Sequence, residues 1–146
     1  MDAAYTMNKT CSIATLITCH NRKAKTLACL DALFQCRLPT GWVLHVILVD
    51  DGSTDGTSEA VGERYPFVEI IHGDGNLYWN KGMHRAFARA MKIGFDAYLW
   101  LNDDTMLHSD AFKLLWSGRN SAGIDEVMVV GAVSDPDGSY TTYGGA

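Results

Sequence analysis

Short apolar runs alternate with segments of helical periodicity along most of the chain. The apolar runs predict strands at residues 13–18, 43–49, 68–72, 97–101 and 127–133, and the periodic segments predict helices at 24–36, 58–65, 81–93 and 111–116. Leu30 and Leu33 in the first helix, and Met83, Ala86 and Ala90 in the third, recur at the spacing of one buried face. This alternation is typical of βαβ units, so the sequence predicts an α/β fold with a mostly parallel sheet flanked by helices.

Two of the predicted strands end in acidic or amide residues, which are Asp50 and Asp51 after the second strand and Asn102, Asp103 and Asp104 after the fourth. Ligands of open α/β sheets bind outside the carboxyl ends of the strands. Carboxylates ~4 Å apart repel by about 1 kcal/mol in water and by more in a crevice, so we expect a cation between them. Mg²⁺ or Mn²⁺ suits this role, because hard divalent cations bind carboxylates together with substrate phosphate oxygens. The pattern points to a nucleoside diphosphate ligand.

Each acidic segment also has a purely structural interpretation. Asp50 and Asp51 are compatible with a turn in which Ser53 or Thr54 caps the next helix. Residues 102–105 are compatible with an ordinary strand-to-loop turn. Both alternatives stay open on the local patterns, although two such strand ends in one chain favour a site.

Polar residues after two other predicted strands are expected at the same edge of the sheet. Between the third strand and the third helix, Gly75, Asn76, Asn80 and Lys81 offer close backbone approach, amide donors and a cation near a helix N-terminus, which favours an anion. The aromatic pair at 78–79 is expected to pack or to form a lid rather than to stack on a base. A flexible polar loop would show the same pattern.

The segment after the first predicted strand adds hydrogen-bonding groups and a cation, which are Thr18, His20, Asn21 and Arg22. Arg22 could pair with a phosphate group. The alternative is an exposed charge at the start of a helix. Both interpretations of Arg22 stay open.

Composition limits the class of protein. At 146 residues the chain suits one domain, which can bury ~70% of its unfolded surface. The net charge of -5, without a Lys/Arg cluster, argues against nucleic acid as a partner. No apolar run approaches the ~20 residues of a membrane span, and no signal peptide is evident, so the expected location is the cytoplasm. The four cysteines form no C-x-x-C pair and are expected to be buried free thiols.

Several common catalytic motifs are missing from the sequence. It contains neither the phosphate loop G-x-x-x-x-G-K-[ST] nor the dinucleotide pattern G-x-G-x-x-G. The G-x-S-x-G elbow and the H-E-x-x-H spacing are also missing. Nucleoside triphosphate hydrolysis by a phosphate loop and nicotinamide chemistry are therefore poor fits.

Taken in order, the polar segments resemble those of the family 2 glycosyltransferases, inverting enzymes with the GT-A fold, which is Rossmann-like. The resemblance covers nearly the whole chain and rests on four segments: residues 18–22 (TCHNR), 49–57 (VDDGSTDGT), 75–82 (GNLYWNKG) and 101–105 (LNDDT). The third and fourth of these segments are similar to those of the branch that includes rhamnosyltransferases, which build bacterial surface polysaccharides.

The resemblance implies the donor-binding part of an enzyme that transfers a sugar, with inversion, from a nucleotide diphosphate sugar to a saccharide or lipid-linked acceptor. It implies that Asp51, together with Asp50, contacts the base or ribose, and that Asp104 binds the Mn²⁺ or Mg²⁺ that bridges both phosphates. Asn102 replaces the first Asp of the family's D-x-D motif, so Asp103 or Asn102 would fill the ribose-side role. The other implied donor contacts are Thr18, His20, Asn21, Arg22, Gly75, Asn76, Asn80 and Lys81.

In members of the family, a later acidic residue acts as the general base for the acceptor hydroxyl, and we expect this residue beyond Ala146. The chain ends on residues 140–146 without the pattern of a closing helix, which predicts a truncated chain without its acceptor part. Residues 1–146 would then form a single nucleotide-sugar-binding domain that binds donor without efficient transfer. The full-length protein is expected at the inner face of the membrane as a peripheral protein.

Two other functions stay open. The chain could be a noncatalytic nucleotide-binding or assembly module, either degenerate or a fragment. A sugar nucleotidyltransferase would share the class of substrate. Such enzymes usually begin with a glycine- and arginine-rich loop, which residues 18–22 do not resemble.

Overall fold

A computed structural model describes residues 10–143, and the predictions made for residues before and after these limits lie outside it. The strands are β1 (Cys11–Cys19), β2 (Trp42–Asp50), β3 (Glu69–His72), β4 (Ala97–Trp100), β5 (Val133–Ser134) and β6 (Thr141–Tyr143). The helices are α1 (Lys23–Gln35), α2 (Thr57–Arg64), α3 (Tyr78–Ile93) and α4 (Ala111–Ser121). None of the helices in this part of the chain has the length and apolarity that crossing a membrane requires.

The first four strands form one parallel sheet in the order β3-β2-β1-β4. In its register Cys19 lies opposite Asp50, and Asp50 lies opposite His72. On the other side of β1, Leu16 pairs with Trp100. The carboxyl ends of all four strands therefore meet at one edge, where parallel α/β sheets bind ligands. The predicted fold class is confirmed.

Helices cover both faces of this sheet, which explains why its central strands are almost wholly apolar. On one face, Leu30 and Leu33 of α1 are buried in a cluster with Ile17 of β1. On the other face, Met83 and Ala86 of α3 are buried in a second cluster with residues of β1 and β2. The predicted helix faces are confirmed, and this packing gives the loops at the sheet edge a rigid base.

One predicted strand is wrong. Residues 127–132 form no strand in the described part of the chain, and Met128 is 89% exposed. The apolar pattern suits a strand, but a strand also needs a neighbouring edge to supply backbone hydrogen bonds. Within residues 10–143, β4 pairs with β1 alone, and the short β5 pairs antiparallel with β6 instead of joining the main sheet.

Gly82 lets α3 approach β1 closely. A Cβ atom at Gly82 would lie 2.7 Å from Thr18 Oγ1 and 3.1 Å from Thr18 Cβ, which is closer than ordinary packing allows. We expect Gly82→Ala to lower the free energy of unfolding by about 1–3 kcal/mol, because the helix must move away from a buried strand. Urea denaturation measures this loss.

Gly62 provides the matched control for that substitution. It lies within α2, and a Cβ atom there would meet nothing within 4 Å. Gly62→Ala is therefore expected to raise the free energy of unfolding by roughly 0.5–1 kcal/mol through helix propensity. Equal effects of the two substitutions would contradict the close packing of Gly82 on Thr18.

The four cysteines are buried and none is part of a disulfide, as predicted. Burial, reinforced by nearby carboxylates, raises the pKa of the Cys19 and Cys29 thiols to about 12. Because the thiolate is the reactive form, we expect neither thiol to react with an aromatic disulfide reagent at mildly alkaline pH while the chain is folded. Both should react after unfolding in urea, and fast labelling of the native chain at Cys19 or Cys29 would contradict this expectation.

Candidate functional site

Four loops meet at the carboxyl edge of the sheet, one after each of the strands β1 to β4. We name them in chain order: the first loop is residues 20–22, the second 51–56, the third 73–77 and the fourth 101–105. All site residues predicted from the sequence lie on these loops or on the adjoining turn of a strand or helix. The predicted convergence of the four polar segments is therefore present.

Asp50 shapes the turn that begins the second loop. Its side chain is buried, its Oδ1 accepts a hydrogen bond from Ser53 N–H at 3.0 Å, and its Oδ2 accepts one from the Ser58 hydroxyl. The turn considered from the sequence exists, but neither Ser53 nor Thr54 caps α2, whose N-cap is Gly56. The Asp50 carboxylate thus faces protein groups.

Asp51 holds the third loop against the second. It is 2% exposed. Its Oδ1 accepts a hydrogen bond from Gly75 N–H at 2.9 Å, and its Oδ2 accepts bonds from Leu77 N–H at 3.0 Å and Tyr78 N–H at 2.9 Å. Burial opposes ionisation of Asp51, but the three N–H donors outweigh it, so the pKa of this carboxyl group is lowered. Asp51 is therefore an anion that organises the backbone of the third loop.

The backbone is strained where the third loop enters α3, and the loop is tightly packed where Asp51 holds it. Tyr78 has a φ of 54°, a left-handed conformation that bulky residues rarely adopt. A Cβ atom on Gly73 would lie 2.5 Å from Asp51 Oδ1. Such backbone strain costs about 1–3 kcal/mol and persists only where the surroundings impose it. The hydrogen bonds to Asp51 impose it here, and they set the position at which α3 begins.

The first loop is bonded to the second. His20 Nδ1 lies 2.5 Å from the carbonyl oxygen of Asp51, and because a carbonyl only accepts, Nδ1 carries the hydrogen. Asn21, with a φ of 49°, donates its N–H to Ser53 Oγ at 2.9 Å and accepts from Thr54 N–H at 2.7 Å through Oδ1. These bonds hold the backbone that leads into α1.

Arg22 lies between the two carboxylates of the fourth loop. Its Nη1 is 3.1 Å from Asp103 Oδ1, and its Nη2 donates to Asp104 Oδ2 at 2.7 Å. The Asp103 side chain is 6% exposed and that of Asp104 is 43% exposed. Burial raises the pKa of Asp103, Arg22 opposes the rise, and the charge of Asp104 adds to it. The Arg22 guanidinium thus supplies a positive charge at the second acidic strand end, on the fourth loop.

Trp79 makes a contact with the fourth loop that the sequence did not reveal. Its indole Nε1 donates to Asn102 Oδ1 at 3.0 Å. Because an indole N–H can only donate, this bond identifies the amide oxygen and leaves Asn102 Nδ2 as a donor for a ligand. Arg22, Trp79, Asn102, Asp103 and Asp104 together line a cavity of about 270 Å³. No local pattern links residues 79 and 102, so only the fold could bring them together.

The other predicted site residues are not among those that line this cavity. Thr18 is 7% exposed and lies against Gly82, beneath the site. Asn80 and Lys81 are exposed on the first turn of α3. Asn21 and Arg22 also line a neighbouring cavity of about 350 Å³ at the start of α1.

The cavity residues fit a divalent cation that uses few protein ligands. Asp103 Oδ2 is buried without a hydrogen-bond partner among the described residues, and the Asp104 carboxylate is accessible. Within residues 10–143, no group of three or more His, Cys, Asp or Glu side chains converges. Nucleotide-bound Mg²⁺ typically takes one or two carboxylates and completes its shell with phosphate and water. Asp104, supported by Asp103, matches that arrangement.

The parallel sheet and its strand order define a GT-A-like α/β domain, and solved structures of other proteins share this fold. Residues 15–138 match the model of glycosyl transferase family 2. The chain belongs to this family, as the sequence predicted.

Curated and solved relatives agree with the family. An N-acetylglucosaminyl-diphospho-decaprenol L-rhamnosyltransferase of Mycobacterium tuberculosis is 36% identical over 67 residues, which are 45% of this chain and 22% of the relative. S. aureus TarS in complex with UDP has a TM-score of 0.64 at 19% identity, over 75% of this chain and 32% of TarS. The mannosyltransferase PcManGT from Pyrobaculum calidifontis, in complex with GDP-Man and Mn²⁺, has a TM-score of 0.51 at 21% identity, over 70% of this chain and 30% of PcManGT. The chain thus spans less than a third of each relative's length.

Proposed function

We propose that residues 1–146 form one nucleotide-sugar-binding domain of an inverting, metal-dependent glycosyltransferase. The observation that carries the proposal is the cavity where Arg22, Asn102, Asp103 and Asp104 of a family 2 chain meet. Two carboxylates, a guanidinium and an amide donor suit a ligand that carries phosphate and hydroxyl groups. A solvated turn would not need a cavity with this mixture of charges.

Three of the cavity residues have separate proposed roles. Asp104 would hold Mn²⁺ or Mg²⁺, Asp103 would support it from the buried side, and Asn102 Nδ2 would donate to an oxygen of the ribose or diphosphate. The bound cation would stabilise the negative charge that develops on the departing nucleoside diphosphate. The other donor contacts implied by the family stay predictions: Thr18, His20, Asn21, Asp50, Asp51, Gly75, Asn76, Asn80 and Lys81.

The acceptor side of the reaction rests on the relatives. We propose that an acceptor hydroxyl attacks the anomeric carbon opposite the leaving group, which inverts the configuration. The name of the mycobacterial relative specifies a diphospho-decaprenol substrate, and it supports a lipid-linked saccharide as acceptor. A general base beyond Ala146, a role in surface polysaccharide synthesis and a location at the inner face of the membrane stay predictions.

Calorimetric titration tests the donor site. UDP, dTDP and GDP are titrated into the purified chain with Mn²⁺, and the titrations are repeated with excess chelator. We expect one nucleotide to bind with Mn²⁺ and its affinity to fall at least about tenfold in chelator, a change of about 1.4 kcal/mol. Equal affinity in chelator would contradict the role of the metal. Failure of all three nucleotides to bind a folded chain would contradict the donor site and favour an assembly module.

A further inference from the structure

Arg22 makes the same kind of contact with the fourth loop that a bound cation would make. Its guanidinium spans both carboxylates, at 3.1 Å from Asp103 Oδ1 and 2.7 Å from Asp104 Oδ2. Hydrogen bonding to Asp104 is the main cause of a raised pKa of Arg22. The side chain of Arg22 is 39% exposed, whereas Asp103 is fixed in the protein. The guanidinium is therefore the partner that can move.

We propose that Arg22 is a built-in counter-ion of the Asp103–Asp104 pair and that it exchanges with the divalent cation when donor binds. The proposal rests on the proposed function, because it takes Asp104 as the metal ligand. A metal on Asp104 and a guanidinium on Asp104 Oδ2 would place a divalent and a monovalent positive charge within about 4 Å of each other, where they repel strongly. Arg22 would then leave the carboxylate.

The released side chain remains on the wall of the cavity that holds the ligand. A guanidinium offers five N–H donors in a planar fork that matches phosphate oxygens. Arg22 would therefore move from the carboxylates to the diphosphate as the metal and nucleotide arrive together. Each of these two ligands would strengthen binding of the other, and this coupling is reciprocal.

This exchange makes a specific prediction about the metal alone. Without nucleotide, Mn²⁺ must displace Arg22 and no phosphate is present to receive the guanidinium, so the wild-type chain should bind free Mn²⁺ weakly. We expect Arg22→Gln to bind free Mn²⁺ about tenfold more tightly, because the carboxylate pair loses its competing cation. Lys25→Gln removes a nearby exposed positive charge that makes no ion pair with either carboxylate, and it should stay within about twofold of wild type.

Electron paramagnetic resonance of free Mn²⁺ measures this affinity directly, with nucleotide omitted. Unchanged or weaker Mn²⁺ binding by Arg22→Gln, or an equal gain in Lys25→Gln, would overturn the exchange. If Arg22→Gln does not fold, Arg22→Lys replaces it as the test variant, since an ammonium keeps the charge but cannot span both carboxylates. Its gain in affinity for free Mn²⁺ should be smaller than that of Arg22→Gln but measurable. No gain in Arg22→Lys would then overturn the proposal.

A parallel titration with Mn²⁺ and UDP, dTDP or GDP separates this inference from the proposed function. Metal-dependent nucleotide binding by wild type, with no Mn²⁺ gain in Arg22→Gln, would overturn the exchange and leave the donor site intact. Tighter free Mn²⁺ binding in Arg22→Gln, without nucleotide binding by either protein, would support the competition and contradict the donor site. Relative to wild type, we expect Arg22→Gln to bind Mn²⁺ alone more tightly. For Mn²⁺ together with the nucleotide, we expect this gain to be reduced or reversed, because the guanidinium that would bind the diphosphate is missing.

Discussion

Asp51→Asn is expected to lower the free energy of unfolding by about 3 kcal/mol, although the two side chains have nearly the same volume. The amide keeps one acceptor, which can face Gly75 N–H. Its NH₂ group then faces the N–H groups of Leu77 and Tyr78, where the carboxylate now accepts two bonds. Two backbone N–H donors are left without their acceptor, and the strained backbone at Tyr78 loses the bond that holds it. Urea denaturation measures the loss.

Asp74→Asn is the control for that substitution. Asp74 lies in the same third loop, is exposed, and uses Oδ1 to accept from Asn76 N–H at 3.0 Å. An asparagine keeps that acceptor, so we expect a change within about 0.5 kcal/mol. A similar loss in both variants would show that loss of a negative charge in the loop, rather than the buried acceptor, is responsible.

The same hydrogen bonds give the protein an acid-sensitive contribution to stability. The pKa of Asp51 is lower in the folded chain than in the unfolded chain, where the pKa of an Asp side chain is about 3.9. The stabilisation is therefore fully present above about pH 4 to 5 and is lost as the pH falls through the folded pKa. Asp51→Asn should show a shallower fall of unfolding free energy between neutral and acid pH than wild type. An identical pH slope in the two proteins would assign the acid sensitivity to other carboxyl groups.

The sequence pattern brought the polar segments to one edge of the sheet but could not give the direction of their side chains. Strand ends are local features, because an apolar run and the polar residue after it are neighbours in the chain. Whether Asp51 points into the open cleft depends on the N–H groups of residues 75, 77 and 78, which only the fold brings to it. The pattern favoured a divalent cation at the acidic strand ends and did not reveal that Arg22, from a different loop, contacts Asp103 and Asp104.

The same limit explains the wrong strand at 127–133. Apolar periodicity reports which side chains prefer burial, and it carries no information on whether an edge is available for pairing. Thr18 shows the limit in another form, since the sequence pattern at the end of β1 did not reveal that Gly82 of α3 packs against its side chain. Helices α1 and α3 were predictable because an apolar face at 3.6-residue spacing has one simple solution, which is to lie on the sheet.

Asp104→Asn is expected to weaken metal-supported nucleotide binding by about 100-fold or more. An amide oxygen carries no formal charge, so a hard divalent cation loses its accessible anionic ligand. Asp104 is the residue to change because it is 43% exposed, whereas Asp103 is 6% exposed and its replacement would also disturb the fold. The fold itself should tolerate Asp104→Asn, since an exposed ion pair such as that with Arg22 contributes about 0–1 kcal/mol. Calorimetry with Mn²⁺ and the nucleotide that wild type binds measures the loss.

Asp125→Asn is the matched control, because it removes one negative charge at an exposed position far along the chain from the fourth loop. It should bind the Mn²⁺–nucleotide pair within about twofold of wild type. Equal weakening in both variants would mean that net charge, rather than ligation, governs the affinity. If Asp104→Asn binds the Mn²⁺–nucleotide pair as tightly as wild type does, the metal is held by Asp103 or is not bound at this site. In either case the exchange with Arg22 would lose its physical basis, because that exchange requires the metal and the guanidinium to compete for Asp104.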